Sequence, residues 1–115
     1  MSWRVLEFRR PRADAEAMVA WLGEHLAREG VRVTLAKETG WGLELTVALG
    51  GRKTLLGIAE LPDEPGTYRA FTRPPSLLDP LLGRGRIRLR EEVLKRLARA
   101  LQEDPTAKAV RWVEL

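Results

Sequence analysis

The residues able to carry out acid, base or nucleophilic chemistry are few in this chain. There is one histidine, His25, one helical turn after Trp21 and with Glu24 and Glu29 close in sequence. Histidine titrates near neutral pH and suits a general base, but no partner residue accompanies His25 locally, and we read it as a boundary side chain stacked on Trp21. Ser2 stands at the start of the sequence, and Ser76 lies in a proline-rich stretch without a histidine nearby. Asp63-Glu64 has the composition of a turn, and Glu91-Glu92 opens a helix, where acids interact well with the dipole. Neither carboxylate pair requires a catalytic explanation. There is no cysteine, which removes disulfides, thiol catalysis and Cys-type metal sites. The glycine-rich pieces "TGWG" and "LGGRK" lack the strand–loop–helix setting of a phosphate-binding loop. We therefore assign no catalytic, cofactor-binding or metal-ligating residue and expect no cofactor; an enzyme working through His25 or the loop acids ranks last among the readings.

The most unusual decade is "GRGRIRLREE", residues 83–92, with arginine at 84, 86, 88 and 90. In an extended chain alternate residues share a face, so these guanidinium groups would form a row with steps of about 6.6 Å. Gly83 and Gly85 disfavour helix, so the segment is expected to run extended and to turn helical from about Arg90. The stretch before it, "PSLLDPLLG", places Leu77, Leu78, Leu81 and Leu82 around Pro80. A connection spanning 76–90 is long for a compact domain and favours a partner-contacting segment, and apolar groups mixed with arginine suit a protein interface. Leu77, Leu78, Leu81, Leu82, Arg84, Arg86, Arg88 and Arg90 are thus the candidate partner-binding residues. The competing explanation leaves the leucines covering the core and the arginines in water.

Charge points the same way. The chain has 20 Lys and Arg against 16 Asp and Glu, a net of +4. The four arginines of the row equal that excess, which places it locally. Arginine outnumbers lysine sixteen to four, a bias that a GC-rich genome also produces. The lack of Asn and Cys, with a single Gln, fits a thermophile's avoidance of labile side chains.

These residues must be held by elements that the pattern predicts. Residues 2–9 read as a strand. Pro11 and Asp14 mark a helix start, and Ala15, Met18, Val19, Leu22 and Leu26 form the apolar stripe of a helix over 13–29, closed by Gly30. "VRVTLAKE" over 31–38 alternates Val31, Val33 and Leu35 inward. "WGLELTVAL" over 41–49 places Trp41, Leu43, Leu45, Val47 and Leu49 on one side. Gly50-Gly51 fits a two-residue hairpin turn, which sets residue 49 opposite 52, 47 opposite 54, 45 opposite 56 and 43 opposite 58. A loop over 61–66 precedes the strand "TYRAFTR". A second helix spans about 90–103, with Leu94, Leu97, Ala98 and Leu101 inward and Glu92–Arg96 and Arg99–Glu103 as i,i+4 pairs. Asp104-Pro105 stops it, and "KAVRWVEL" supplies the last strand. The tryptophans at 3, 41 and 112 fall in strands and Trp21 on a helix; packing is favoured over a base-stacking platform.

The order β-α-β-β-β-β-α-β predicts an α+β fold, a single two-layer domain over 1–115 with an antiparallel-rich sheet of five to six strands and two helices on one face. This order is similar in architecture, without a shared motif, to small bacterial secretion-chaperone and immunity-type domains, and the resemblance implies binding to another protein. The expected function is a non-enzymatic protein-interaction domain, most simply a homodimer, acting through the 76–90 segment or a sheet edge. The alternative is a nucleic-acid-binding domain gripping phosphates with the arginine row and Arg9, Arg10 and Arg12. No apolar run has the roughly 20 residues of a membrane span, and "MSWRVLEFRRPR" has no uninterrupted apolar segment, so a cytoplasmic location is expected.

Overall fold

The computed structural model describes residues 4–73 and 83–114. The elements are β1 (Arg4–Arg9), α1 (Ala15–Arg28), β2 (Arg32–Glu38), β3 (Leu43–Leu49), β4 (Arg52–Glu60), β5 (Thr67–Arg73), α2 (Gly83–Glu103) and β6 (Lys108–Glu114). The six strands form one sheet in the order β2-β3-β4-β5-β1-β6, and every neighbouring pair is antiparallel. The α+β architecture and the element order match those expected from the sequence. Among the described residues no helix is long and apolar enough to cross a membrane.

Local chemistry explains the best-defined pieces. The β3–β4 hairpin has the expected register, with Leu49 opposite Arg52, Val47 opposite Thr54, Leu45 opposite Leu56 and Leu43 opposite Ile58. Gly50 and Gly51 take φ of 59° and 78°, the double positive φ that this tight turn demands. Asp14 caps α1, its Oδ1 accepting from the Ala17 N–H at 2.8 Å. At the other end Gly30 turns left-handed at φ 79°. The Gly30 N–H then bonds the Ala27 carbonyl and the Val31 N–H the Leu26 carbonyl, a Schellman closure.

One core holds the layers together. Leu6 and Phe8 of β1, Leu45 and Val47 of β3, Leu56 and Ile58 of β4, and Ala70 of β5 meet Met18, Leu22 and Leu26 of α1. Val93, Leu97 and Leu101 of α2 join the same cluster. On β1, β3, β4 and β5 these residues alternate with others that point away, so both helices cover the same face of the sheet. Two guanidinium groups of α2 fasten its partner: Arg96 donates to the Glu29 carbonyl at 2.7 Å and Arg99 to the Glu29 carboxylate at 3.3 Å.

Three expectations are corrected here. The extended arginine row does not form: α2 begins at Gly83. Its buried stripe reaches back from Leu101, Leu97 and Val93 to Leu89, and this burial outweighs the roughly 1 kcal/mol that each glycine costs a helix. Arg88 is exposed and Arg90 half-buried, with the Arg90 Nε 3.4 Å from Thr72 Oγ1 on β5. Arg84 and Arg86 fall on the opening turns of the helix, while Leu77, Leu78, Leu81 and Leu82 lie outside the described residues. Second, Leu35 points outward at 63% exposure. The pairing shifts between Val33 and Leu35, a bulge in which one extra residue reverses the phase, so Ala36 rather than Leu35 packs with Val33 on the core. Third, Arg99 pairs with Glu29 instead of Glu103, whereas Glu92–Arg96 forms as expected at 3.0 Å.

Trp41 also departs from its expected core position. It stands before β3 rather than in it, is 40% exposed, and meets Phe71 with ring centroids 5.3 Å apart. Phe71 lies directly opposite Gly57, on the sheet face without helices. A Cβ at Gly57 would fall 2.4 Å from Phe71 Cζ, so the missing side chain is what lets the ring lie flat across β4 toward Trp41. Gly57→Ala is expected to displace that ring and lower stability by about 1–2 kcal/mol. In a Phe71→Ala background the same change should cost much less, as a double-mutant cycle by urea denaturation would show.

Candidate functional site

Among the described residues, two polar clusters and one open surface are places where chemistry or recognition can sit. The first cluster forms where the turn after α2 meets α1. Asp104 precedes Pro105, which ends the helix, and its Oδ1 accepts from both the N–H and the hydroxyl of Thr106 at 2.7 Å, an Asx-type turn. Its Oδ2 faces α1, accepting from Trp21 Nε1 at 2.6 Å and lying 2.6 Å from His25 Nε2. Burial pushes the Asp104 carboxyl upward, but the two Thr106 bonds, the Trp21 indole and the His25 charge outweigh it and hold its pKa at about 2. Trp21 is clasped in turn, with the Arg10 guanidinium 3.8 Å above its ring and the His25 ring at 5.0 Å. Beside them is a cleft of about 350 Å³, rimmed by Arg10, Arg28, Glu29 and Glu103.

His25 therefore packs against Trp21, with the rings tilted by 44° rather than stacked, and it has in addition the carboxylate partner that sequence proximity did not show. The geometry is nonetheless unsuited to base catalysis. In a Ser-His-Asp arrangement the imidazole offers one nitrogen to the carboxylate and the other to the nucleophile. Here Nδ1 lies 2.9 Å from the Trp21 carbonyl, an acceptor only. Both ring nitrogens face acceptors, Asp104 Oδ2 and the Trp21 carbonyl, so neither is turned toward a nucleophile. The Thr106 hydroxyl is likewise committed to Asp104. The cluster acts as a clasp between α1 and the α2–β6 turn.

The second cluster lies on the sheet face without helices. Glu7 on β1 is directly opposite Arg69 on β5 and Arg111 on β6, and its carboxylate bonds them at 3.1 and 2.7 Å. Burial raises the Glu7 pKa, yet the two guanidinium groups lower it more, for a net downward shift. Sequence reading passed over this residue; the signal was an acid among apolar neighbours in "RVLEFR", where a buried carboxylate needs cationic partners. Among the described residues no group of three or more His, Cys, Asp or Glu is placed to hold a metal ion.

The surface around Glu7 is the third feature. Strand register assigns its members. Arg32 and Lys53 flank Ala48, Lys37 is opposite Glu44, and Lys108 is opposite Arg9. With Arg69 and Arg111 the described side chains of the uncovered face include seven basic residues and two acids, Glu7 and Glu44. That is an excess of five positive charges against +4 for the whole chain. A concentration of basic charge other than the one at residues 84–90 thus lies on the bare sheet. Arg9, Arg32, Lys53 and Lys108 make no ion pair among the described residues, whereas Lys37 reaches Glu44 at 3.6 Å. Between these cations stand the Trp41–Phe71 pair and the exposed Leu35.

Asp104→Asn tests the clasp. Losing the charged acceptor should cost about 2 kcal/mol near pH 7, read by thermal or urea unfolding. The folded-state pKa lies below the unfolded value, so the wild-type contribution is complete above about pH 4 and is lost as pH falls toward about 2. The variant should show no such loss from this group. Comparison with protein-family models, with curated proteins and with solved structures yields no match to this chain.

Proposed function

We propose that this chain is a non-enzymatic interaction domain, that the uncovered sheet face is its contact surface, and that the partner is an anionic macromolecule. The observation that carries this reading is the coincidence on one face of three properties. Among the described residues it lacks helix cover, gathers an excess of five positive charges, and exposes Leu35 and Trp41. Exposed apolar groups among cations are a recognition surface rather than a solvated one. The clasped state of His25, Asp104 and Thr106 supports a binding role over a catalytic one.

The sheet edges suit binding less well. β2 carries the bulge between Val33 and Leu35. β6 shifts register opposite Glu7–Arg9 and holds Ala109 at φ 51°. Bulges and edge charges block the addition of another strand. Homodimerisation through the open face would press two like-charged surfaces together, which electrostatics opposes. Docking through 76–82 concerns residues outside those described, and Arg88 and Arg90 stand on α2.

Immobilised heparin, a sulfated polyanion, provides a direct probe. The wild-type protein should be retained and released by salt. Arg32→Glu with Lys53→Glu should elute much earlier with unchanged circular dichroism, while Arg88→Glu with Lys95→Glu, equal in charge but on exposed positions of α2, should lose less. Equal losses in both variants, or no retention of the wild type, would refute the assignment of the contact surface.

A further inference from the structure

Resting on that reading, we infer that the anionic partner is single-stranded nucleic acid, with a base stacked on Trp41 and phosphates held by the cations at two opposite corners of the sheet. The register places Arg32 and Lys53 at the β2–β4 corner, beside Ala48 near the hairpin turn. It places Arg9 and Lys108 at the β1–β6 corner, at the far end of those strands. The Trp41–Phe71 pair lies between them, so cation, aromatic and cation follow one another along a diagonal of the face.

The floor beneath that diagonal is low. Gly57 has no side chain, and its position is filled by the Phe71 ring lying over it; the outward residues around it on β3 and β4 are Glu44, directly opposite, with Thr46, Leu55 and Ala59. An aromatic-centred floor, with no side chain at Gly57, leaves the exposed Trp41 ring open to the face of a base. The six strands span roughly 24 Å at 4.7–4.9 Å per neighbour, enough for several nucleotides. Single strands offer bases for stacking on aromatic side chains while their phosphates follow a cationic track, and a duplex hides its base faces. An acidic polypeptide would use the cations but would have no need of an exposed indole at 40% accessibility.

The test is binding of fluorescently labelled oligo(dT) and oligo(U) of about ten nucleotides, a duplex of equal length, and polyglutamate, followed by anisotropy. The single strands should bind more tightly than duplex or polyglutamate. Their affinity should fall with salt at a log–log slope between about −2 and −3, as expected for up to four released counterions. Trp41→Ala should weaken single-strand binding at least about fivefold. Trp41→Phe should retain most of it while abolishing the part of the tryptophan quenching that belongs to residue 41. Circular dichroism confirms that each variant is folded, and Trp41→Phe keeps the test informative should Trp41→Ala unfold. Tight binding of polyglutamate with indifference to the oligonucleotides would overturn the nucleic-acid inference and leave the anion-binding face standing. Single-strand binding unaffected by Trp41→Ala, or duplex bound equally well, would overturn the stacking geometry. Failure of every polyanion to bind would remove both proposals.

Discussion

The structure depends on one constraint: two helices pack on a six-stranded sheet, and both bury their apolar stripes against the same side. The central strands hold Leu45, Leu56, Ala70 and Leu6 toward those helices, and burial of such side chains supplies most of the driving force for folding. The opposite side must then be made compatible with water by its own residues. It achieves this with small groups over β3 and β4, with the Glu7 carboxylate between Arg69 and Arg111, and with a dispersed set of cations. The polarity of the sheet, apolar toward the helices and basic away from them, follows directly from where the helices are.

The clasp at Asp104 solves a different problem. Apolar packing is non-directional and tolerates sliding, whereas a carboxylate that accepts from an indole, an imidazole and a threonine at once admits one arrangement. Arg96 and Arg99 on Glu29 add a second fixed point between the helices. The interhelix geometry is thus set by charged groups at the periphery of the core.

Much of the fold is legible in the sequence where the deciding interactions are local. The Gly50-Gly51 turn and the alternation on either side dictate the hairpin register together. The cap at Asp14 and the closure at Gly30 are readable from residue type. Features hidden from sequence reading depend on distant partners. His25 and Asp104 are separated by most of the chain, and the only hint was an Asp-Pro-Thr turn. One extra residue near Leu35 inverts a strand's phase without altering its composition. The opening of α2 at Gly83 is decided by what Leu89 packs against, which overrides the glycines. The basic surface is the sharpest case. Its members come from β1, β2, β4, β5 and β6, and they assemble only once the strand order β2-β3-β4-β5-β1-β6 is known.

That strand order also has a kinetic side. Of the six strands β1 is the first to leave the ribosome, yet its two neighbours are β5 and β6, of which β6 is made last. Translation proceeds at about 5–20 residues per second, so for several seconds a strand bearing Leu6, Phe8 and the Glu7 carboxylate has neither flank paired. Closure of β1 between its neighbours joins remote parts of the chain, a class of contact that slows folding. The nascent polypeptide is therefore most exposed to misassembly before residue 108 emerges, and its native sheet is completed at the β6 edge only after synthesis has passed that point.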